Sequence, residues 1–355
     1  MKVARLYSFK DIRIEDMPIP KIGKGDALVR VKVCGICSGD VMPWYIEKKA
    51  PLVLGHEAAG EIVGLGKKVR GGDKTVLTRP SSLVPCHFSV GDRVFFHHHA
   101  PCFKCRYCRN GDYVQCGTWR KSKIIPGGIS EYALIPGINL KGDTLLLPDK
   151  ISFEQAALIE PVACVVKGLK RVKLRRGDTV FVIGLGVMGQ LHVMLAKKYG
   201  ASMVIGADKV PYRLKKAKDF GADKVIDVSR DKLVAGVSRA TKGNMADVVV
   251  VGPGDAKAMS LGISCAGRGG RVLFFTPTRP DDILKLQPND IYFKDINIIT
   301  SYSCGPDDTR EALNLISEGA VDNRLITHRF PMAKTQEAFK LTAEAKNSLK
   351  AIVVI

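Results

Sequence analysis

Long apolar runs are missing from this sequence. Of its 355 residues 46% are hydrophobic, yet no stretch of about 18 consecutive apolar residues occurs. The nearest candidate, Thr179–Ala196, is interrupted by Gln190 and His192. The segment Met1–Asp16 also lacks the apolar core of a secretory signal. We therefore expect a soluble, cytoplasmic protein without a membrane partner.

Acidic residues are scarce relative to basic residues. The chain has 35 Asp and Glu against 55 Lys and Arg, a net charge of +20, and such an excess can indicate a nucleic-acid partner. Here no single segment holds the excess. Residues 1–152 and residues 153–304 each carry 24 basic and 14 acidic side chains, and residues 305–355 carry 7 of each. This distribution argues against a nucleic-acid partner and leaves an anionic substrate open.

Repeats and low-complexity segments are also absent, and the length fits two domains better than a single core. Residues 1 to about 150 contain short alternating runs separated by glycine and proline, which predict a compact β-rich domain. From residue 153 onward apolar strands alternate with helices, which predicts a doubly wound parallel sheet in an α/β protein. The predicted domains are residues 1–152 together with 305–355, and residues 153–304.

The predicted elements follow from these patterns. Strands in the first domain are predicted at 27–33, 61–64, 92–96 and 131–135, and residues 70–90 are predicted to form an irregular loop. The six strands of the parallel sheet are predicted at 179–183, 203–207, 224–227, 247–251, 271–275 and 297–302, with helices at 187–199, 211–220, 230–240 and 256–265. A last helix is predicted at 308–318 and a last strand at 351–355.

A glycine loop follows the predicted strand 179–183. Residues 184–189 read Gly-Leu-Gly-Val-Met-Gly, a spacing that allows a tight turn, close approach of a pyrophosphate and close packing of the next helix. The alternative is a glycine turn that binds nothing. The predicted cofactor-binding residues are Gly184, Gly186, Val187, Met188, Gly189, Asp208 and Arg213.

Asp208 ends the next predicted strand, 19 residues after Gly189. A carboxylate at this place accepts hydrogen bonds from ribose hydroxyls and repels a 2′-phosphate, so the sequence favours NAD over NADP. Lys209 and Arg213 weaken that preference because they attract a phosphate.

The ten cysteines indicate metal binding rather than disulfides in a chain of this size without a secretory signal. Four of them, Cys102, Cys105, Cys108 and Cys116, have the spacing of a closed tetrahedral zinc site, which holds a lobe together and does no chemistry. Free thiols on a loop are the alternative. Five other cysteines are predicted to be free, small and buried; they are Cys34, Cys86, Cys164, Cys265 and Cys304.

A second set of metal-binding residue types is spread along the chain. It consists of Cys37, the adjacent pair His56 and Glu57, and Glu160, which precedes Pro161. Each signal is weak by itself. A His-Glu pair is more often part of a structural hydrogen bond, and a Glu-Pro pair is more often a helix start.

Seven motifs follow one another along essentially the whole chain. They are Gly-Ile-Cys at 35–37, Gly-His-Glu at 55–57, Gly-Asp-Arg-Val at 91–94, the four-cysteine segment, Gly-Gly at 127–128 before Glu-Tyr at 131–132, Glu-Pro at 160–161 and the glycine loop. In order and combination, these motifs resemble the zinc-dependent medium-chain dehydrogenase/reductase family of alcohol, sorbitol and threonine dehydrogenases. Glutamates at positions 57 and 160 resemble its polyol and threonine dehydrogenase branch.

The resemblance implies a GroES-like catalytic domain and a Rossmann domain. It implies a catalytic zinc held by Cys37, His56 and Glu57, with Glu160 as an alternating fourth ligand or a neighbour of the ligands. Asp40 is similar to the carboxylate that supports the zinc-binding histidine. With the four-cysteine site, two zinc ions per chain are expected. We also expect a homodimer or homotetramer.

One position departs from the family pattern. Many members have serine or threonine two residues after the zinc cysteine, and its hydroxyl passes on the substrate proton. This chain has Gly39 there, preceded by Ser38. The substrate proton would therefore have to pass to Ser38, or to water together with Glu160.

Trp44, Tyr45, Trp119 and Arg120 lie where such enzymes often line the substrate cleft. The alternative is that the aromatic residues belong to the core and that Arg120 is a surface charge. For His97, His98 and His99 a structural or pocket-rim role is favoured over metal binding.

The combined prediction is an NAD-dependent zinc alcohol or polyol dehydrogenase, which transfers a hydride between NAD(H) and a secondary alcohol or its ketone. A second interpretation keeps this chemistry on an anionic substrate, such as an amino acid, a sugar phosphate or a CoA thioester, with Arg120, Lys121 and Lys123 as contacts. A third is a non-catalytic protein that binds zinc and NAD or nucleic acid. The complete second set of metal-binding residues argues against that third interpretation.

Overall fold

The structure, a computed structural model, describes residues 1–67 and 88–355. Most of the loop predicted at 70–90, together with Cys86, lies outside the described residues. Within the described ranges, no helix is both long and apolar enough to cross a membrane.

The strands of the described residues are numbered in chain order. They are β1 Lys2–Ser8, β2 Asp11–Asp16, β3 Ala27–Gly35, β4 Leu52–Val53, β5 Glu57–Leu65, β6 Arg93–His97, β7 Tyr132–Ile135, β8 Thr144–Leu146, β9 Thr179–Ile183, β10 Met203–Asp208, β11 Lys224–Asp227, β12 Ala246–Val251, β13 Ala266–Phe274, β14 Asn297–Thr300, β15 Ile326–Pro331 and β16 Lys350–Val354.

The α-helices of the same residues are numbered in the same way. They are α1 Pro43–Ile46, α2 Arg106–Arg109, α3 Gly117–Lys121, α4 Gly137–Asp143, α5 Phe153–Ala156, α6 Ile159–Arg171, α7 Val187–Lys198, α8 Pro211–Asp219, α9 Leu233–Ala240, α10 Ala256–Ser264, α11 Pro288–Phe293, α12 Pro306–Ser317 and α13 Thr335–Glu344.

Strands β9 to β14 form a parallel sheet in the order β11-β10-β9-β12-β13-β14. Its central strands β9 and β12 are nearly continuous apolar runs, because helices cover both faces of the sheet there. Successive residues of a strand point to opposite faces. Phe181 and Val249 accordingly lie in one core, and Val180 and Val248 lie in the other. The predicted doubly wound α/β sheet is confirmed.

The β-rich part is built mainly on antiparallel pairing, and only β15 and β16 pair in parallel among its described strands. A larger sheet has the order β15-β16-β3-β5-β6-β8, with β7 also paired to β3, and a small sheet has the order β2-β1-β4. Strand β16, from the last residues of the sequence, pairs with β3 through Val353 opposite Cys34. Strands from before residue 152 and from after residue 304 therefore share one sheet.

Helices α6 and α12 connect the two sheets. Val162 and Val166 of α6 and Ala312 and Leu315 of α12 belong to one apolar core. Glu160 lies in the first turn of α6 and is buried at this junction. The domain limits predicted at 152/153 and 304/305 stay a prediction.

Candidate metal and cofactor sites

The four-cysteine lobe gathers its thiols around two short helices. Cys105 precedes α2, Cys108 lies within it and Cys116 precedes α3. The four Sγ atoms, including that of Cys102, lie within 4.8 Å of one another. Trp119 packs against the buried thiols in a small core of its own. Four converging thiols at this spacing fit a tetrahedral zinc site.

Backbone N–H groups favour the charged form of two of these thiols, those of Cys102 and Cys116. The N–H groups of Lys104 and Cys105 each donate to Cys102 Sγ at 3.4 Å, and the N–H of Cys102 donates to Cys116 Sγ at 3.4 Å. Burial raises the pKa of the Cys116 thiol, but N–H donors such as that of Cys102 outweigh it and lower this pKa to about 6. The lobe therefore stabilises a thiolate, the form that binds zinc.

Pairing of β3 with β5 brings together Cys37, His56 and Glu57, which we call the outer set. Gly35, the last residue of β3, lies opposite Glu57, the first residue of β5. Cys37 follows β3 closely and His56 directly precedes β5, so the pairing makes them neighbours. The thiol of Cys37, a ring nitrogen of His56 and a carboxylate oxygen of Glu57 lie within 4.8 Å of one another. This donor set suits zinc.

Asp40 orients the histidine of the outer set. Its carboxylate oxygen Oδ2 lies 3.2 Å from His56 Nδ1, and its N–H donates to the carbonyl of Cys37 at 3.1 Å in the turn after β3. Because Nδ1 faces Asp40, Nε2 is left for a metal. Burial lowers the pKa of His56, but Asp40 and Cys37 outweigh it and raise this pKa well above its usual value. The two neighbours therefore favour positive charge at the imidazole.

Glu57 is fully buried; one of its carboxylate oxygens has a partner and the other has none among the described residues. Oε2 forms an ion pair with the ammonium group of Lys350, which also donates to the carbonyl of Ile36 at 2.9 Å. Oε1 is buried and has no hydrogen-bond partner among the described residues. A buried carboxylate oxygen without a partner is costly unless a cation binds it. This orphaned atom supports the fit of a metal ion to the outer set.

Gly35 makes room for this ion pair. A Cβ at position 35 would lie 2.0 Å from Glu57 Oε2 and 2.9 Å from the Cε atom of Lys350. The close approach of the two side chains to the backbone therefore requires glycine.

Glu160 lies outside the outer set. Its carboxylate is grouped instead with His97 and Cys304, and the ligand atoms of these three residues lie within 4.8 Å of one another. We call them the inner set. Burial raises the pKa of Glu57, Lys350 opposes this, and the charge of Glu160 contributes to the net rise. Glu160 is therefore a charged neighbour of the outer set.

The three consecutive histidines lie at the end of β6, beside the outer set. His97 is fully buried, and its Nδ1 lies 2.8 Å from Asp143 Oδ2. The ring of His98 lies 4.8 Å from that of His56 and 4.1 Å from that of His99, between ring centroids. Burial lowers the pKa of His98 well below its usual value and that of His99 to about 4. Both imidazoles are therefore neutral at pH 7.

Trp119 is 2% exposed and connects the lobe to these histidines. Its ring centroid lies 4.2 Å from that of His99 and 6.0 Å from that of Tyr302. Tyr302 hydrogen-bonds to Tyr45, and burial raises the pKa of Tyr302 to about 12. Tyr45 in turn contacts Trp44 edge to face at 5.8 Å. Three of the predicted cleft residues thus lie along a band of aromatic side chains that leads to His56.

Arg120 is held within the lobe. Its guanidinium donates to the side chain of Gln115, and its Nε donates to the carbonyl of Val114 at 3.4 Å. Ser38 lies half-buried in the turn after Cys37, and the N–H of the following Gly39 donates to Cys37 Sγ at 3.3 Å.

The glycine loop joins β9 to α7, the place predicted for it. A Cβ on Gly189 would lie 2.0 Å from the carbonyl oxygen of Gly184, so glycine is required where the helix packs on the loop. A Cβ on Gly186 would meet nothing closer than the guanidinium of Arg213, at 3.8 Å. The space beside Gly186, at the start of α7, fits the phosphates of a dinucleotide.

Asp208 is fixed at the end of β10 beside this loop. It accepts hydrogen bonds from the N–H of Leu185 at 2.7 Å and from that of Val210 at 2.9 Å. Arg213 Nη1 lies 3.4 Å from its Oδ2. The structure thus brings Asp208, Arg213 and the loop together.

Several residues of the region were not predicted from the sequence. Tyr302, Asp143 and Thr309 carry no motif, and Cys304 was interpreted as a buried apolar side chain. Lys350 had a usable signal, since it is a single charge in the apolar run 349–354. A lysine in such a run needs a buried acidic partner.

Comparison with known proteins shows which family this chain is similar to. The family model for the alcohol dehydrogenase GroES-like domain matches residues 23–149, and the model for zinc-binding dehydrogenases matches residues 187–318. A sorbitol dehydrogenase of Bombyx mori is 31% identical over 364 residues, which cover 99% of this chain and 97% of that protein. An L-threonine 3-dehydrogenase of Bacillus licheniformis is 31% identical over 341 residues, covering 92% and 91%.

Solved structures share the whole fold. A protein of Sinorhizobium meliloti 1021 described as a zinc-binding dehydrogenase, bound to NADP, has a TM-score of 0.84 at 26% identity and covers 100% of this chain and 99% of that chain. An alcohol dehydrogenase of Escherichia coli CFT073, complexed with NADH, has a TM-score of 0.83 at 26% identity and covers 100% and 99%. The first carries NADP and the second NADH.

Proposed function

The chain belongs to the zinc-binding dehydrogenase family with a GroES-like domain, and on that premise we propose that it is an NAD-dependent dehydrogenase of secondary alcohols or polyols. Membership makes it an oxidoreductase. The observation that carries the proposal is the outer set. Cys37, His56 and Glu57 have their ligand atoms within 4.8 Å of one another, and Asp40 orients the histidine.

Zinc, when bound there, supplies a Lewis acid that lowers the pKa of a substrate hydroxyl. Cys37, His56 and Glu57 would hold the ion, and Asp40 would keep Nε2 of His56 available to it. Lys350 balances the negative charge of Glu57 and fixes the orientation of its carboxylate. Ser38, beside Cys37, is the hydroxyl that we propose to receive the substrate proton.

The four-cysteine lobe would hold a second zinc ion through Cys102, Cys105, Cys108 and Cys116. Its closed set of four thiols leaves no position for a substrate. Its role is to keep Trp119 against His99, and thereby to shape the cleft.

The nicotinamide cofactor would lie on the glycine loop, with its pyrophosphate beside Gly186 and its adenosine ribose beside Asp208. The coenzyme supplies the hydride acceptor when bound. Asp208 supports the choice of NAD, because a carboxylate there repels a 2′-phosphate. Arg213 stands close enough to moderate that repulsion.

The walls of the cleft favour a polyol over an anionic substrate. His98 and His99 are neutral at pH 7 because burial lowers the pKa of each, and neutral imidazoles hydrogen-bond to hydroxyl groups. Arg120, a contact suggested for an anion, is already engaged by Gln115 and Val114. Relatives that are named for sorbitol support the same class.

A turnover screen with NAD tests the function. Secondary alcohols and polyols are expected to reduce NAD, and His56→Ala is expected to abolish this turnover while NAD binding, measured by calorimetry, stays near the wild-type value. His328→Ala, at a half-buried histidine on β15, is the matched control and should keep activity. Turnover by the His56 variant at the wild-type rate would refute the metal assignment.

The proposed homo-oligomer is supported by an exposed apolar patch beside the edge of the parallel sheet. Strand β14 ends the sheet order within the described part of the chain, and Tyr292 and Phe293 just before it are 79% and 70% exposed. Apolar side chains this exposed are typical of protein interfaces. We propose that a second copy of the chain covers them. Analytical ultracentrifugation tests this. The wild type is expected to sediment as a dimer or tetramer and the Phe293→Glu variant as a monomer.

A further inference from the structure

Gln190 is a buried polar residue to which the proposed reaction assigns no role. It interrupts the apolar run that begins at Thr179, and it lies in the first turn of α7, directly after the last glycine of the glycine loop. The residue is 0% exposed. Glutamine is seldom fully buried, because its amide loses hydrogen bonds to water and needs partners within the protein. The partners of this side chain therefore indicate what it does.

The side-chain amide of Gln190 joins two elements of the candidate coenzyme site. Its Nε2 donates to the carbonyl of Leu185 in the glycine loop and to the carbonyl of Arg213 in α8, at 2.9 Å each. Both hydrogens of the amide nitrogen are thus engaged. Its Oε1 is buried and has no partner among the described residues. Gln190 therefore ties α8 to the glycine loop through its nitrogen alone.

Leu185 is held on both sides of its residue. Its N–H donates to Asp208 Oδ2 at 2.7 Å, while its carbonyl accepts from Gln190. The other oxygen of Asp208 accepts from the N–H of Val210 at 2.9 Å. The glycine loop is thereby fixed to the end of β10 by Asp208 and to α8 by Gln190.

Arg213 lies between the two parts of the candidate coenzyme site. A Cβ on Gly186, beside the position proposed for the pyrophosphate, would lie 3.8 Å from the guanidinium of Arg213. Nη1 of the same guanidinium lies 3.4 Å from Asp208, the proposed ribose contact. A shift of α8 would move this charge relative to both positions. The bond from Gln190 to the carbonyl of Arg213 opposes such a shift.

We propose that Gln190 is a positioning residue for the nicotinamide coenzyme, and this inference rests on the proposed coenzyme site. Gln190 acts through Leu185 and Arg213, and it fixes the spacing between the pyrophosphate position at Gly186 and the ribose position at Asp208. A ligand that spans both positions gains affinity when their spacing is set in advance. A ligand that occupies the ribose position alone does not depend on that spacing.

Binding of coenzyme fragments tests this role without reference to turnover. Gln190→Met keeps the length of the side chain and a good helix former, so the fold should persist, but it removes both donors. Titration of NADH fluorescence is expected to give a Kd about tenfold higher for this variant than for wild type. ADP-ribose, measured by competition with NADH, should weaken to the same extent. Adenosine, which occupies the ribose position alone, should bind the variant nearly as well as wild type.

Gln336→Met is the matched control. Its amide also bridges two backbone groups, since it donates to the carbonyl of Phe9 at 3.1 Å and accepts from the N–H of Ile12 at 2.9 Å, but these lie in the β-rich part. This variant should bind NADH as wild type does. Gln190→Glu is a second variant of the same size. Its carboxylate would face two carbonyl oxygens, so it should weaken NADH binding at least as much as methionine does.

Two results would overturn the role of Gln190 alone. One is a wild type that binds NADH together with Gln190 variants that bind it equally well. The other is an equal loss of affinity for adenosine and for NADH, because damage to the ribose position rather than a changed spacing would then explain the loss. A wild type that binds neither NADH nor NADPH would instead overturn the proposed coenzyme site, and this inference with it.

Discussion

The ammonium group of Lys350 forms a buried ion pair with the carboxylate of Glu57, 293 positions earlier in the sequence. Each side chain is 1% exposed. Glu57 itself belongs to the outer set; one of its oxygens faces Lys350, and the other stays unpartnered among the described residues. Burial raises the pKa of Glu57, and Lys350 counteracts that rise by favouring the charged form.

Replacement of Lys350 by methionine should therefore lower the free energy of unfolding and weaken zinc binding by the outer set. The loss of one partner leaves a buried charge uncompensated, at a cost of about 3–5 kcal/mol. Urea unfolding should detect this cost, and elemental analysis should detect less zinc. The double variant Glu57→Gln/Lys350→Met removes both charges and should recover much of the stability. A single variant as stable as wild type would contradict the assigned role.

Cys105→Ser should remove the ion of the four-cysteine lobe. Because a closed set of four thiols leaves no position for a substrate, the expected result is one zinc fewer per chain and a lower thermal midpoint. A loss of even 2 kcal/mol corresponds to roughly 4–8 °C in a domain of about 150–250 residues. Elemental analysis and calorimetry measure the two effects, with Cys265→Ser as the control for the substitution itself. Unchanged zinc content would refute the lobe as a metal site.

Asp208→Ser should relax the choice between NAD and NADP. The substitution removes the charge that repels a 2′-phosphate, while Lys209 and Arg213 remain to attract it. The ratio of kcat/KM for NAD to that for NADP is expected to fall about tenfold, equivalent to roughly 1.4 kcal/mol. Asp231→Ser, at an exposed aspartate paired with Arg239, should leave the ratio unchanged. A wild type that prefers NADP would show the interpretation of Asp208 to be wrong.

His192 should make stability sensitive to acid. It lies buried in α7, where burial lowers its pKa to about 4, below the roughly 6.5 of an unfolded chain. Between these values the unfolded state binds more protons, so stability is complete above pH 6.5 and is lost as the pH falls toward 4. At pH 5 the cost is about 2 kcal/mol.

His192→Leu should remove that part of the acid sensitivity. Urea unfolding of wild type and variant at pH 8.5, 7.5 and 5 measures it. The difference between the two proteins should be constant from pH 8.5 to 7.5 and should shift by about 2 kcal/mol in favour of the variant at pH 5. If the difference in unfolding free energy between the two proteins is the same at all three pH values, His192 is not a buried histidine with a lowered pKa.

The parallel sheet could be predicted closely because its strands and helices are determined by local pattern. The strand predicted at 179–183 has the bounds of β9, and the glycine loop lies between β9 and α7. The errors are at element ends. Strand β13 begins at Ala266, five residues before the prediction, and β14 ends at Thr300, two before it. Such ends depend on pairing with a neighbouring strand, which a local pattern does not contain.

The four-cysteine lobe could also be predicted, because all its donors lie in one short segment. The outer set could be predicted only through the family resemblance, which rests on the order of the motifs along the chain. The inner set and Lys350 could not be predicted, since their contacts join elements far apart in the chain. His97 and Cys304, for example, are 207 positions apart. Only the packing of α6 and α12 against β6 brings them within reach.

Strand β16 lies between β15 and β3 in the larger sheet, and this order has a consequence for biosynthesis. Strand β16 begins at Lys350, 315 positions after β3 ends at Gly35, so this partner of β3 is translated more than 300 residues after β3 itself. At translation rates of about 5–20 residues per second, the delay is roughly 15 to 60 s. The whole parallel sheet emerges from the ribosome in that interval. A nascent chain therefore completes its dinucleotide-binding half while β3 still has an open edge, and the outer set acquires Lys350 last.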